Sequence, residues 1–245
     1  MILSIETATE VCGVALVDNN EVAGQRIRVE KNIHSECLMP MIDDLLREAA
    51  VNPHEIHSVA VSIGPGSFTG LRIGLSTAKG LACGWGKTLI SVSTLDALAE
   101  EFIRSGNFRG SVVFCAAIDA KRDEAFTAIF RITEGRAFQL EAPVLESAAA
   151  TLKRLEGYDS VVIGGDGAKK IAALGGSRQT MKLEENIFPH PVAVALASRN
   201  SRRLSLQEFL MLEPTYLREF TAVSGRQSRI SRPPHVAGTE PIINQ

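Results

Sequence analysis

The sequence has no CxxC pair. Its four cysteines, Cys12, Cys37, Cys83 and Cys115, are scattered through largely apolar stretches, which points to buried free thiols in a reducing compartment. It also lacks any run of about 18 uninterrupted apolar residues, and the opening MILSIETAT enters a strand without the basic start of a signal peptide, so a cytoplasmic protein with no membrane contact is expected. There is no basic excess: 26 Lys and Arg face 28 Asp and Glu, a net charge of −2, too little to hold a phosphate backbone unaided. Of the five histidines, His54 and His57 stand three apart with only Glu55 between them as carboxylate, and neither these nor His34, His190 or His235 has a nucleophile partner in view. No catalytic residue and no metal ligand is expected, and a peptidase reading finds no support.

What is present is a long organised stretch, Ser58 to Trp85. Val59, Ala60, Val61 and Ile63 read as a buried strand, Gly64-Pro65-Gly66-Ser67-Phe68-Thr69-Gly70 as a glycine loop, and the remainder as a helix. Loop amides and a helix dipole aimed at one spot make a ready anion site. The helix carries Gly70, Gly74, Ala78 and Ala82 at spacing four, beside Ile73, Thr77, Leu81 and Trp85. Glycine in a helix costs about 1 kcal/mol against alanine, so the bare ridge calls for the close approach of another helix.

At 245 residues and 45% hydrophobic content, two lobes are expected. Residues 1–105 form the first and 106–204 the second; 205–220 returns to the first lobe and 221–245 is a flexible tail. In the first lobe, strands are expected at Met1 to Ile5, Gly13 to Asp18, Glu21 to Val29 and Thr88 to Val92, with helices from Ile33 to Ala50, capped by Asn32 or Ser35, and from Thr94 to Arg104. Pro40 either kinks the first of these helices or begins it. The face of Leu38, Met41, Ile42 and Leu45 either packs on the sheet or joins the small-residue ridge as an external docking face. In the second lobe, Val112 to Ile118, Ala125 to Ile132, Ala137 to Leu140 and Ser160 to Ile163 read as strands. Glu146 to Glu156, Ala168 to Leu174 and Val192 to Leu204 read as helices, and Leu183 to Pro191 as irregular. Asp119, Lys121, Arg122, Asp123 and Glu124 form a charged turn. Arg226, Arg229 and Arg232 belong to a solvated tail.

ILSIETATEVCGVALVD, GPGSFTGLRIGLSTAKGLA and PTYLRE resemble the TsaB (YeaZ) family. The resemblance implies an α/β fold of the ASKHA (actin-like ATPase and sugar kinase) class, two lobes each with a mixed sheet and flanking helices. It further implies a non-catalytic subunit that docks on TsaD through helices 33–50 and 69–85, so that TsaD can transfer the threonylcarbamoyl group to the adenosine beside the anticodon of tRNAs reading ANN codons. The implied partners are TsaD directly, helix to helix, TsaE, and a second copy of the chain through the same face; tRNA is met only through the complex. The interface residues are Leu38, Met41, Ile42, Leu45, Gly70, Ile73, Gly74, Thr77, Ala78 and Leu81. A leucine at Gly74 should then weaken pairing by about one to two orders of magnitude while sparing the fold. No cofactor is required by this chain; ATP or ADP would sit at the junction with TsaD. In actin-like folds the first hairpin and glycine turns meet nucleotide, which singles out Glu6, Thr7, Gly64, Gly66, Ser67, Gly165 and Gly167.

The chain departs from TsaD where that enzyme carries an HxxxH histidine pair: Val92-Ser93-Thr94-Leu95-Asp96-Ala97-Leu98 has no imidazole, so an iron or zinc site of that kind cannot form. The alternative is a free-standing ASKHA nucleotide-binding protein or ATPase.

Overall fold

The computed structural model describes residues 1–106, 108–175 and 181–215. Two five-stranded sheets repeat one plan. In the first, β1 (Ile2–Glu6), β2 (Val11–Asp18) and β3 (Glu21–Val29) form an antiparallel meander, and β4 (Ser58–Ser62) and β5 (Thr88–Val92) add in parallel, in the order β3-β2-β1-β4-β5. In the second, β6 (Val112–Asp119), β7 (Glu124–Thr133) and β8 (Arg136–Ser147) are the meander, and β9 (Val161–Gly164) and β10 (Met181–Glu184) the parallel pair. This duplicated order is the ASKHA architecture.

The strand sequences explain the layering. Leu3, Ile5, Val59 and Val61 are fully buried, as central strands covered on both faces must be. One face of the first sheet packs α1 (His34–Glu48) and α2 (Phe68–Trp85), and the other carries α6 (Pro191–Ala197). The second sheet buries one face against α3 (Thr94–Ser105) and the other beneath α4 (Ala148–Leu155) and α5 (Ala168–Gly175). Helix α3 belongs to both cores: Leu95, Leu98 and Phe102 meet Phe114 and Phe130, while Ala97 meets Ile90, Val92 and Val194.

Several expectations change. α1 begins at His34 with Ile33 as its N-cap, an apolar side chain that can make no cap bond, while Asn32 before it is left-handed at φ 63°; the helix runs through Pro40, which lies on its exposed face. β8 extends to Ser147 where a helix from Glu146 is expected; it is an edge strand, and Pro143 falls where its pairing with β7 shifts register between Glu141 and Val144, a place that tolerates the missing N–H. Ser147 instead caps α4, accepting from Ala150 N at 3.2 Å. The expected helix from Val192 to Leu204 stops at Ala197, followed by a single 3-10 turn at Ser198–Asn200. The hydroxyls of Ser198 and Ser201 donate back to Ala195 O and Ala197 O at 2.7 and 3.1 Å, closing the helix end. Part of the stretch read as irregular is β10, and α7 (Leu206–Met211) occupies the return segment, started by a capping box between Ser205 and Glu208. Lys79 of α2 holds the C-terminal end of α7, donating to Leu210 O and Leu212 O at 3.0 and 2.6 Å. Thr215 N donates to Ile63 O at 2.7 Å, beside the glycine loop. Tyr216 to Glu219 of the closing motif, the tail 221–245 and its three arginines lie outside the described residues.

Candidate functional site

Where the two lobes face each other a cleft of about 840 Å³ opens. Its walls are the β1–β2 turn from Ala8 to Val11, the loop and first turn of α2, the β6–β7 turn, and Asp166, Phe188 and Thr215.

The glycine loop is packed against the chain's own β1–β2 turn. Ser67 N donates to Ala8 O at 2.6 Å, and a Cβ on Gly66 would stand 2.2 Å from that same carbonyl. A Cβ on Gly70 would stand 2.1 Å from Thr7 O, and one on Gly74 2.1 Å from Thr7 Oγ1. The chain's own β1–β2 turn therefore lies in the groove that the small residues open. Gly64, with φ 116°, is buried under Thr215 and Leu71. Ser67 Oγ accepts from Gly70 N at 3.3 Å as the cap of α2. Of the loop positions read as nucleotide contacts, Gly66 and Ser67 border the cleft; Ser67 N is spent on Ala8 O, and Gly66 packs against the same carbonyl.

Glu6 and Thr7 are fully buried and do not line the cleft, which corrects their reading as ligand residues. Glu6 instead ties strands together. Its carboxylate accepts from Ala8 N at 2.6 Å and from the Ser62 hydroxyl at the end of β4. Burial pushes its pKa from 4.5 up to about 7, against the pull of Ser62 and Ala8, with the charge of Asp166 adding to the rise. Its sign is the reverse of a salt-bridged carboxylate. The unfolded chain ionises first, so the native state loses up to about 3 kcal/mol as pH rises from 4.5 to 7. His190, whose Nδ1 accepts from Val192 N at the start of α6, is held near 4 by burial and by Arg104, so its contribution is lost as pH falls from 6.5 to 4. The two slopes oppose each other. In Glu6→Gln the gain in stability over the parent should grow between pH 4.5 and 7 and then level off, as read by urea midpoints at a series of pH values; a pH-independent difference would refute the assignment.

Gly165 and Gly167 serve packing as well. A Cβ on Gly165, at φ 111°, would meet Ala117 O at 2.1 Å, and one on Gly167 would meet the Ile118 carbonyl carbon at 2.9 Å. Asp166 between them does reach the cleft; it accepts from Asp119 N at 2.8 Å, and loss of water followed by the nearby Asp119 charge raises its pKa. Asp119 is itself partly desolvated, yet its pKa falls because Lys170 and Lys121 hold the carboxylate. Lys170 Nζ also donates to Arg122 O and Glu124 O at 2.9 and 3.0 Å, fastening a turn in which Lys121 and Arg122 are both left-handed. The charged turn is thus a braced corner of the cleft.

The interface residues separate into two sets. Leu38 and Ile42 are 1% exposed, Leu45 3% and Met41 7%, and Gly70, Gly74 and Ala78 are buried under α2 itself. These seven form the chain's own core and cannot meet a partner, and Gly74→Leu would strike Thr7 before it touched anything outside. Ile73, Thr77 and Leu81 are half-buried along the flank of α2. Beside them runs a row that the sequence reading passed over, Ser76, Gly80 and Gly84, all exposed, where a Cβ on either glycine meets nothing within 4 Å. Its signal was the second four-residue spacing of small side chains in the same helix.

The described histidines have structural neighbours: His34 Nε2 lies 3.1 Å from Val11 O and His57 Nδ1 2.8 Å from the Met1 amine. Among the described residues no three metal-ligating side chains come together, and no helix is long and apolar enough to cross a membrane.

A family model described as "TsaD: tRNA N6-adenosine threonylcarbamoyltransferase" matches residues 28–195. The protein named "tRNA threonylcarbamoyladenosine biosynthesis protein TsaB" of Escherichia coli K12 is 38% identical over 133 residues, 54% of this chain and 56% of that one. Its namesake in Bacillus subtilis 168 is 32% identical over 134 residues, 55% and 56% of the two chains. The match thus spans about half the length of these curated relatives. The solved structure of YeaZ from Pseudomonas aeruginosa superposes with a TM-score of 0.72 at 24% identity, covering 88% of this chain and 99% of that one.

Proposed function

The chain belongs to the TsaD family and within it resembles the TsaB (YeaZ) proteins, and from this premise we propose that it is a non-catalytic subunit of the assembly that makes threonylcarbamoyladenosine on tRNA. Its role is contact: the outer flank of α2, with Ile73, Thr77, Gly80, Leu81 and Gly84, docks on TsaD, which performs the transfer. The observation that carries this reading is the occupied glycine loop. A glycine loop that cradles phosphate does so with free backbone amides; here Ser67 N is spent on Ala8 O at 2.6 Å. The fold keeps the two-lobed ASKHA shell and packs its own β1–β2 turn against the glycine loop. ATP or ADP belongs at the junction with TsaD, TsaE joins the same assembly, and tRNA is reached through the complex. In the absence of TsaD, the same flank pairs two copies of this chain.

The test is reconstitution. Purified TsaD and TsaE, with ATP, tRNA and an activated threonylcarbamoyl donor, should modify tRNA at least tenfold faster when this chain is added, and the isolated chain should hydrolyse ATP no faster than a buffer control. Unchanged modification would overturn the reading, and robust hydrolysis by the chain alone would favour the free-standing ATPase.

A further inference from the structure

Cys12 is the second residue of β2, and Cys37 is the fourth of α1. Their sulfurs lie 3.4 Å apart across the strand–helix contact, with Cys12 fully buried and Cys37 9% exposed. One turn before Cys37, the His34 ring reaches Val11 O at 3.1 Å, so the first turns of α1 are already fixed against the start of β2. Cys115, by contrast, sits buried with its sulfur 4.0 Å from Ala116 O, and Cys83 is exposed on α2.

A disulfide needs sulfurs about 2.05 Å apart, so the pair must close by about 1.4 Å from the 3.4 Å at which it rests. Burial, and then the adjoining Cys37 thiol, push the Cys12 thiol far up. The environment therefore gives Cys12 no stabilised thiolate, the feature that makes a disulfide strongly oxidising and short-lived.

We infer that Cys12 and Cys37 form a reversible disulfide that clamps α1 onto β2 when the chain meets a small-molecule disulfide such as oxidised glutathione. The better exposed Cys37 loses its proton and attacks one sulfur of the oxidant, releasing one glutathione thiol and leaving a mixed disulfide. Cys12 loses its proton, attacks the Cys37 sulfur and expels the second glutathione thiol. Two protein thiols are oxidised, one glutathione disulfide is reduced, and the two protons end on the two glutathione thiols. Because Cys37 is nearly covered, the first step waits on a local opening of α1 and is slow.

The experiment uses the full chain carrying Cys83→Ser, so that the exposed thiol does not confuse the count. After equilibration with oxidised glutathione under native conditions, its mass should fall by about 2 Da, a peptide linking Cys12 to Cys37 should appear, and reduced dithiothreitol should restore the starting mass. The melting temperature of the oxidised form should rise by about 5–10 °C, as expected for closing a loop of 25 residues in a chain of this size. Adding Cys12→Ser should replace the link with a stable glutathione adduct on Cys37. Retention of the Cys12 and Cys37 thiols under native conditions, or a link that forms only in urea, would overturn the inference.

Discussion

Gly70→Ala should destabilise the chain by about 3 kcal/mol, lowering its melting temperature by about 6–12 °C, whereas Gly80→Ala, two turns and more along the same helix, should raise it by about 2–4 °C. The two substitutions add the same methyl group to α2. At position 70 it would stand 2.1 Å from Thr7 O, a backbone atom that cannot yield unless the whole β1–β2 turn moves. At position 80 it meets nothing within 4 Å and contributes only the helical preference of alanine, about 1 kcal/mol. Calorimetry on the two variants reads the sign directly. Equal shifts would mean that the turn does not lie in the glycine groove, and the argument for an occupied glycine loop would go with it.

Gly80→Arg should weaken pairing with TsaD by about 10–100-fold, or about 1.4–2.8 kcal/mol, while leaving the melting temperature within about 2 °C of the parent. A long charged side chain on the bare outer row of α2 has room to lie in solvent when the chain is alone, because nothing stands within 4 Å of the position. Against a second helix it would hold the two backbones apart and bury a charge without a partner. Titration calorimetry with purified TsaD decides the matter. Undiminished affinity would move the contact off this flank of α2, and Lys79, which is engaged with Leu210 O and Leu212 O, then marks α7 as the next surface to vary. Sedimentation of the same variant should show less self-association if the homodimer uses the same row.

Most of the first lobe was legible because its signals are local. The apolar runs in MILSI and CGVALVD, the loop from Gly64 to Gly70 and the capped start of α3 each follow from neighbours in the chain, where propensity and steric rules act. The rest of the chain was less so. An edge strand that carries Pro143 reads as a break, and the serines that end α6 are ordinary helix-surface residues until their hydroxyls are seen on Ala195 O and Ala197 O. Likewise α7 is a short helix of six residues, below the length at which a period can be recognised.

The amino-acid order alone determined that α2 would have one flank stripped of side chains, that no histidine would follow β5 at the spacing of a metal site, and that strand and helix would alternate in a two-lobed α/β pattern. It could not determine which backbone would fill the stripped flank. Gly70 and Gly74 are equally bare whether a foreign helix or Thr7 lies over them, since Thr7 is more than sixty positions away and its approach depends on the register of β1 beside β4. Only the folded chain, by setting those two strands side by side in parallel, turns the β1–β2 turn into the groove and leaves the opposite row, Ser76, Gly80 and Gly84, facing water.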